Sequence, residues 1–468
     1  MKVELLGGYS EKEVEERIKK VAAAGKLSRF PGNVFDVLES CDDYEKNLKL
    51  IKRIIKMGHK SIIEHDYLVF AICDVSPIIE QTIIGNRLTS FTIKSRREVD
   101  FRTVGFYTPE FRTKEGEIHS ENNEIQLEYN EYMKSLFNKY GSFVDRGIKT
   151  EDARFMLPYS YNSNIIMGLD GRELEKLIYQ LKYGKLSKMS ELKELGECLK
   201  DLVDKYAPYL SDSINELEEH TVEPYEYLEK HFERPDIKIL EKVKLINYTQ
   251  NPDEIVLESA VMFYYQCTKE QAKEILSEMQ KNNPDSTKEF MKIIMTKEDR
   301  RELEQVNFQF QIPISLSILT HLTRHRMHSL LVPDFIKMWN LENYIVPESI
   351  KEIGAEDEYR EIFNNNKKMY EKFASKGILE QDLVYFYLGG QMCNVLTTMN
   401  ARTVQWITRL RCCNKAQWQI RDVAKQIAKE VKQVAPLIGK WIGTTCETEG
   451  ICYEGKEYCG KIKNIIVK

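Results

Sequence analysis

Thr323-Arg324-His325-Arg326-Met327-His328-Ser329 places two guanidinium groups and two imidazoles within five residues, directly after the apolar run Ile312-Pro313-Ile314-Ser315-Leu316-Ser317-Ile318-Leu319. An apolar segment ending in so much positive charge is costly to bury unless anionic or planar polar groups meet it. A phosphorylated ligand is therefore the first candidate. The plainer reading is a solvated helix end whose basic residues complement the macrodipole. The ligand reading gains because the chain contains the segment twice.

Working outward, Lys242-Val243-Lys244-Leu245-Ile246 echoes the short strand predicted at Lys2-Val3-Glu4-Leu5-Leu6, and Lys292-Ile293-Ile294 echoes Arg53-Ile54-Ile55. Glu304 to Ile312, with strand-like alternation, stands where Glu64 to Ile72 stood. Arg324-His325-Arg326 matches Gly85-Asn86-Arg87, Asn400-Ala401-Arg402 matches Asp170-Gly171-Arg172, and Ala435-Pro436 matches Ala207-Pro208. The offsets are 240 (299 − 59), 239 (326 − 87), 230 (402 − 172) and 228 (436 − 208), a drift of loop size. Copies of this length each enclose a core, so the pattern predicts a duplicated domain rather than a solenoid. The domains are expected at 1–225 and 238–468. The join falls around Val222 to Ile237, where Glu223-Pro224 and Arg234-Pro235 interrupt helical patterning.

The first half reads as a helix near Glu11–Ala24, another near Asp43–Met57, a strand at Tyr67–Ile72 and a helix at Pro77–Ile84. Polar helical sequence follows at Ser120–Lys139, then an apolar patch at Ile165–Met167 and helices near Gly171–Gln180 and Glu191–Tyr206. A net charge of −5 gives no global basic field, so nucleic acid is not an expected partner and any anion site is local. No apolar run approaches the length of a membrane span. The ten cysteines are mostly scattered, and no secretory leader pattern opens the chain; a cytoplasmic protein with reduced thiols is expected.

These residues resemble the flavin-dependent thymidylate synthases. That family carries an Arg-His-Arg triplet followed after seven residues by a serine, an upstream Gly-His-x-Ser-x-x-Glu-His segment, and an Ala-Arg-x-x-Leu-Pro segment. A late Asn-Ala-Arg segment precedes its Leu-Arg and Ala-Gln-Trp. The first copy has Gly58-His59-Lys60-Ser61-Ile62-Ile63-Glu64-His65, Ala153-Arg154-Phe155-Met156-Leu157-Pro158, and Ser95 with Arg97 two residues on, but it lacks the triplet. The second has Arg324-His325-Arg326, Asn400-Ala401-Arg402, Leu410-Arg411 and Ala416-Gln417-Trp418. Asp334 stands at its serine position, Val384 at the Ala-Arg arginine, and Asp299 and Arg301 at the upstream His and Ser. The resemblance implies an α+β fold of two tandem domains, each with an antiparallel sheet and long helices, forming a pseudo-dimer. Two chains would then mimic the family's homotetramer as a homodimer. Because family sites draw on two subunits, it also implies that the losses sort into one composite site, phosphate-gripping groups from the first copy and flavin and catalytic groups from the second.

By the same resemblance, Arg411 favours the anionic pyrimidine ring and is the catalytic residue. Ser95, Arg97, Arg154, His321 and Arg324 bind the nucleotide substrate. His59, Ser61, Arg324, His325, Arg326, Asn400, Arg402 and Lys415 bind the cofactor, FAD. The implied reaction moves a one-carbon unit from methylenetetrahydrofolate to C5 of dUMP, with NADPH as reductant. Alternatives are a non-catalytic flavin or nucleotide binder, and a C5 transferase for another pyrimidine nucleotide. Three positions depart from the family: Ile93 replaces a Glu, Lys415 a His, and His321 a Gln. The tail Cys446-x5-Cys452-x6-Cys459 contains no Cys-x-x-Cys, so reduced surface thiols rather than a metal site are expected.

Overall fold

The computed structural model describes residues 1–215, 224–233, 235–337 and 342–468. Of the expected join, Val222, Glu223 and Arg234 lie outside the described residues. No helix among those described is long and apolar enough to cross a membrane.

The chain folds as α+β, with one four-stranded antiparallel sheet in each half. The first sheet is built from β1 (Lys2–Leu5), β2 (Tyr67–Val75), β3 (Ser90–Ile93) and β4 (Ser163–Asp170), in spatial order β1-β2-β4-β3. The second repeats that order with β5 (Lys244–Tyr248), β6 (Asn307–Ser315), β7 (Ser329–Leu331) and β8 (Met392–Asn400), as β5-β6-β8-β7. Alternation drives the central strands: Leu68, Phe70 and Ile72 on β2, and Phe308, Phe310 and Ile312 on β6, all point into the core. Pro313 is tolerated in β6 because β5 pairs only as far as Gln311, so no neighbour on that side needs its missing N–H.

The strand-to-helix order also repeats. The helix Pro77–Gly85 follows β2 and Leu316–Thr323 follows β6; Gly171–Lys182 follows β4 and Ala401–Arg411 follows β8. The last two start alike. Asp170 accepts from the N–H groups of Arg172 and Glu173, and Asn400 from that of Thr403. Each helix is then tied back by an equivalent ion pair, Arg172 to Glu64 and Arg402 to Glu304, both at 2.6 Å.

The compact units do not follow the repeat boundary at one place. Unit 1 is Met1–Asp236 together with Val346–Gly390, and unit 2 is Ile237–Ile345 with Gln391–Lys468. Unit 1 thus holds both copies of one helical segment, Asn122–Asp145 and Glu356–Ser375. Inside it, Tyr159 N–H donates to the Tyr387 carbonyl at 2.7 Å, and Gly389 N–H donates to the Leu157 carbonyl at 3.0 Å. With the offset of 230 found at Arg402 and Arg172, position 159 corresponds to 389 and 157 to 387. Each bond is the other with the copies exchanged, as two-fold pairing of like segments requires. Arg112 fixes the same region with a bidentate grip on Asp382, its Nη2 at 2.6 Å and Nε at 3.0 Å.

One buried polar contact differs informatively between the copies. Glu191 is fully buried and accepts from Ser76 N–H (2.7 Å), Ser76 Oγ–H (2.5 Å) and Tyr385 O–H (3.1 Å). Burial pushes its carboxyl up to about 7, against those stabilising hydrogen bonds. The matching residue in unit 2 is Gln419, which accepts from Ser315 Oγ–H at 2.5 Å without carrying a charge. A carboxyl raised by folding contributes stability that is present below its unfolded value, near 4.5, and is lost as pH rises through about 7. Glu191→Gln should remove that dependence, raising stability above pH 7 by about 3 kcal/mol relative to the parent. Urea denaturation across this pH range checks it; parallel curves for parent and variant would refute the assignment.

Candidate functional site

In unit 1, β3 is an edge strand whose only neighbour in the sheet is β4, and its end delivers the Lys94-Ser95-Arg96-Arg97 loop. Ser95 shapes that loop: its Oγ accepts from Arg97 N–H at 3.3 Å and its carbonyl from Val99 N–H at 3.0 Å. Arg97 forms an ion pair with Glu151, and its carbonyl accepts from Thr150 Oγ–H at 2.6 Å. Arg154 is buried just beyond, with Nε–H donating to the Glu151 carbonyl at 3.0 Å. Arg96, which sequence reasoning did not single out, is buried as well; it pairs with Glu80 at 3.3 Å and lies over the Tyr161 ring. Burial first, then repulsion from Arg96, lowers the Arg154 guanidinium to about 9. Three guanidiniums gathered in and beneath one short loop favour an arriving anion, because an added negative charge relieves their mutual repulsion. The sequence signal for the missed groups was a lone carboxylate, Glu80, in the apolar helix Pro77–Gly85, together with Glu151 three residues before Arg154.

In unit 2, the helix Leu316–Thr323 ends at Arg324, and the following turn alternates its exposure. Arg324 and Arg326 are exposed, whereas His325 and His328 are buried. His328 Nδ1 and Thr397 Oγ1 of β8 lie 2.7 Å apart, which pegs the turn to the sheet. His325 Nε2 accepts from Arg411 Nε–H at 2.9 Å. Burial, then the charge of Arg411, then His328, hold His325 down at about 3, so it is the neutral imidazole that receives Arg411. Arg411 sits in the last turn of Ala401–Arg411, and its Nε–H bond to the imidazole fixes the plane of its guanidinium. His321 is buried on the preceding helix.

The structure gives the remaining sequence-predicted residues more structural surroundings. Asn400 spends its Oδ1 on the helix cap, and Arg402 its fork on Glu304, as their counterparts do in unit 1. His59 and Ser61 are exposed beside the turn Lys60–His65, whose Lys60 pairs with Glu175 at 2.8 Å. Lys415 is exposed and pairs with Glu457 of the C-terminal tail at 2.5 Å, on the wall of a cavity lined by cysteines. Gln417 is fully buried; its Oε1 caps Trp418–Val434 by accepting from Gln419 and Ile420 N–H, while its Nε2 has no hydrogen-bond partner.

Fold and residues together define a duplicated α+β protein with an arginine-rich anion locus in one copy and a histidine-oriented arginine in the other. The family model described as "Thymidylate synthase complementing protein" matches residues 12–209 and again 244–437, so the chain belongs to that family and carries its domain twice. Among its relatives is the flavin-dependent thymidylate synthase of Clostridium tetani, 33% identical over 239 residues, 47% of this chain and 93% of the relative. That of Pyrococcus abyssi is 28% identical over 225 residues, 46% of this chain and 89% of the relative. A solved flavin-dependent thymidylate synthase from Helicobacter pylori, complexed with FAD and dUMP, covers 46% of this chain and 99% of its own at 20% identity and a TM-score of 0.35. A UMP/dUMP methylase from Streptomyces cacaoi bound with 5-Br dUMP covers 46% of this chain and 94% of its own, at 19% identity and a TM-score of 0.38.

Because His325 is held near 3, it stays neutral across the whole range in which an ordinary histidine titrates, about pH 5 to 8. The NMR signal of its ring, assigned by loss in His325→Gln, should be flat over that range. A titration step near 6.5 would mean that Arg411 is not held as described.

Proposed function

We propose that the protein methylates a pyrimidine nucleotide at C5, taking dUMP to dTMP with methylenetetrahydrofolate as one-carbon donor and NADPH as reductant. The observation that carries this reading is the Arg411–His325 pair: a guanidinium oriented by a neutral imidazole, within the Leu-Arg and Arg-His-Arg motifs of the family. A carbon nucleophile at C5 needs electron density that a deprotonated ring supplies. Arg411, permanently charged, stabilises that anion at N3 and the adjoining carbonyl, and the neutral His325 adds no competing charge. In unit 1, Ser95, Arg97 and Arg154, with Arg96 reinforcing the field, are proposed to take a nucleotide phosphate, and in unit 2 His321 and Arg324 are proposed as nucleotide contacts.

The residues present suit FAD. Arg324 and Arg326 offer exposed guanidiniums for a pyrophosphate, and the buried Nε2 of Gln417 is a donor that lacks a partner. His325 and Asn400 offer further polar contacts in unit 2, and His59 and Ser61 are the cofactor contacts proposed for unit 1. Lys415 and Arg402 are the weaker members of this set, because each already serves an ion pair in the fold. When bound, the flavin supplies the hydride that completes the methyl group. The chain is proposed to assemble as a homodimer.

Tritium release from C5-labelled dUMP tests the reading, with UMP, dCMP and CMP run alongside to detect a different base. Arg411→Ala should lower release by about 100-fold or more while flavin remains bound. Release at the parent rate would remove Arg411 from the chemistry. Ser95→Ala should weaken nucleotide binding by about tenfold, whereas Asp334→Ala, at the matching position of the second copy, should leave it near the parent value. Equal effects on isothermal titration would overturn the assignment of the phosphate to the first copy.

A further inference from the structure

The proposed function uses His325 but not the second imidazole of the same turn, His328. Both histidines are buried, whereas Arg324, Arg326 and Met327 are exposed. The turn is therefore anchored by its imidazoles and presents its cations. It leads from the helix Leu316–Thr323 into β7, an edge strand of three residues whose neighbour is β8. So short a strand holds the turn weakly, and side-chain bridges carry more of the task.

Two bridges cross from the turn to one arm of unit 2. β8 runs directly into the helix Ala401–Arg411, which Asn400 caps and which Glu304 ties down through Arg402. Thr397 lies on the strand part of this arm and Arg411 in its last helical turn. His328 Nδ1 and Thr397 Oγ1 lie 2.7 Å apart, and His325 Nε2 accepts from Arg411 Nε–H at 2.9 Å. One bond fixes a distance and leaves the turn free to pivot. A second, at a separate point on the same arm, fixes its orientation as well.

The first copy shows that the fold does not require the His328 bridge. The repeat offsets place Thr89 at His328 (328 − 239) and Met167 at Thr397 (397 − 230). Sheet register agrees: Thr397 pairs with Phe310 and Leu330, and Met167 with Phe70 and Phe91. All four side chains are buried. One copy fills this space with threonine and methionine, the other with imidazole and threonine, and the thioether of Met167 offers no donor. A core site that packs methionine does not need a hydroxyl and a ring nitrogen, which must be desolvated and then paired. The polar pair stands in the copy that carries Arg324-His325-Arg326; where Asn86 replaces His325, it is absent.

We propose that His328, through Thr397, is a positioning residue for the C5 chemistry, locking the Arg-His-Arg turn in the orientation from which His325 holds the Arg411 guanidinium. The inference rests on the function proposed above and deepens it; His328 acts through His325, not on a reacting atom.

Three variants test it. Thr397→Val removes the hydroxyl at nearly constant shape, Thr397→Ser keeps it, and His328→Thr combined with Thr397→Met installs the pair that the first copy already packs on the same backbone. The valine variant and the swap should each lower tritium release at saturating dUMP by about 10- to 100-fold, with the dUMP Kd from calorimetry and the serine variant's rate both within about threefold of the parent. The swap should also melt near the parent, an outcome that a merely structural role for His328 does not combine with a lost rate. A second readout needs no turnover: the Arg411 Nε–H resonance, assigned by its loss in Arg411→Lys, should exchange with solvent about tenfold faster in Thr397→Val than in the parent. Release at the parent rate in Thr397→Val or the swap, a serine variant as slow as the valine one, or unchanged exchange in Thr397→Val overturns the proposal. Should the swap not fold, the valine and serine variants decide. Should the parent itself release no tritium, the methylation reading fails on its own and the exchange result decides whether His328 positions the pair.

Discussion

Two hydrogen bonds, Tyr159 to Tyr387 and Gly389 to Leu157, set the terms for the rest of the chain. They join equivalent segments of the two copies in antiparallel register, and each becomes the other when the copies are exchanged. In a homodimer such a contact is enforced by symmetry, so a substitution on one side appears on both. Within one chain the backbone bonds persist while the side chains around them are free to differ. Arg154 lies three residues before Leu157 in one copy, and Val384 three before Tyr387 in the other. The shared backbone contact has outlived the identity of its neighbours.

Electrostatics explain how the copies diverged without unfolding. Arg154 is buried among like charges, a cost that only local carboxylates such as Glu151, or a bound anion, offset. A second copy that has given up its anion gains by replacing such an arginine with an apolar residue, and Val384 is nearly fully buried. Unit 2 resolves its own arginine differently: Arg411 is half-buried against an imidazole too deeply desolvated to carry charge, so it meets an acceptor rather than a rival cation.

Much of the fold was legible because the duplication wrote it twice. Helices at 11–27, 44–56, 77–85, 171–182 and 190–206 fall close to their sequence boundaries, since apolar periodicity and caps such as Ser10 and Ser76 announce them. Two of the short edge strands were not legible: β3 and β7 have four and three residues, with every residue at least partly exposed, so neither alternation nor length marks them as strands. The membership of Val346–Gly390 in unit 1 was equally hidden, because patterning reports which face of a helix is buried but not which copy buries it. For the site, motif positions led to Ser95, Arg154, His325 and Arg411, but not to Arg96, Glu80 or Glu151, whose importance arises from contacts across sequence distance.

The two copies serve as an internal control on which residues are scaffold. Arg172–Glu64 and Arg402–Glu304, the caps Asp170 and Asn400, and Ser76–Glu191 with Ser315–Gln419 occur in both, so each is explained by the fold alone. Ser95 against Asp334, Arg154 against Val384, His325 against Asn86 and Arg411 against Lys182 occur in one copy only, on the same backbone. A fold that forms equally well with either residue does not require the polar one. What retains a buried arginine or a desolvated imidazole in only one copy is something the fold itself does not supply, and a bound ligand is the physical agent that meets the description. By that criterion Arg411, His325, Ser95 and Arg154 are the residues proposed to meet ligands, while Asn400 and Arg402 belong first to the scaffold of unit 2.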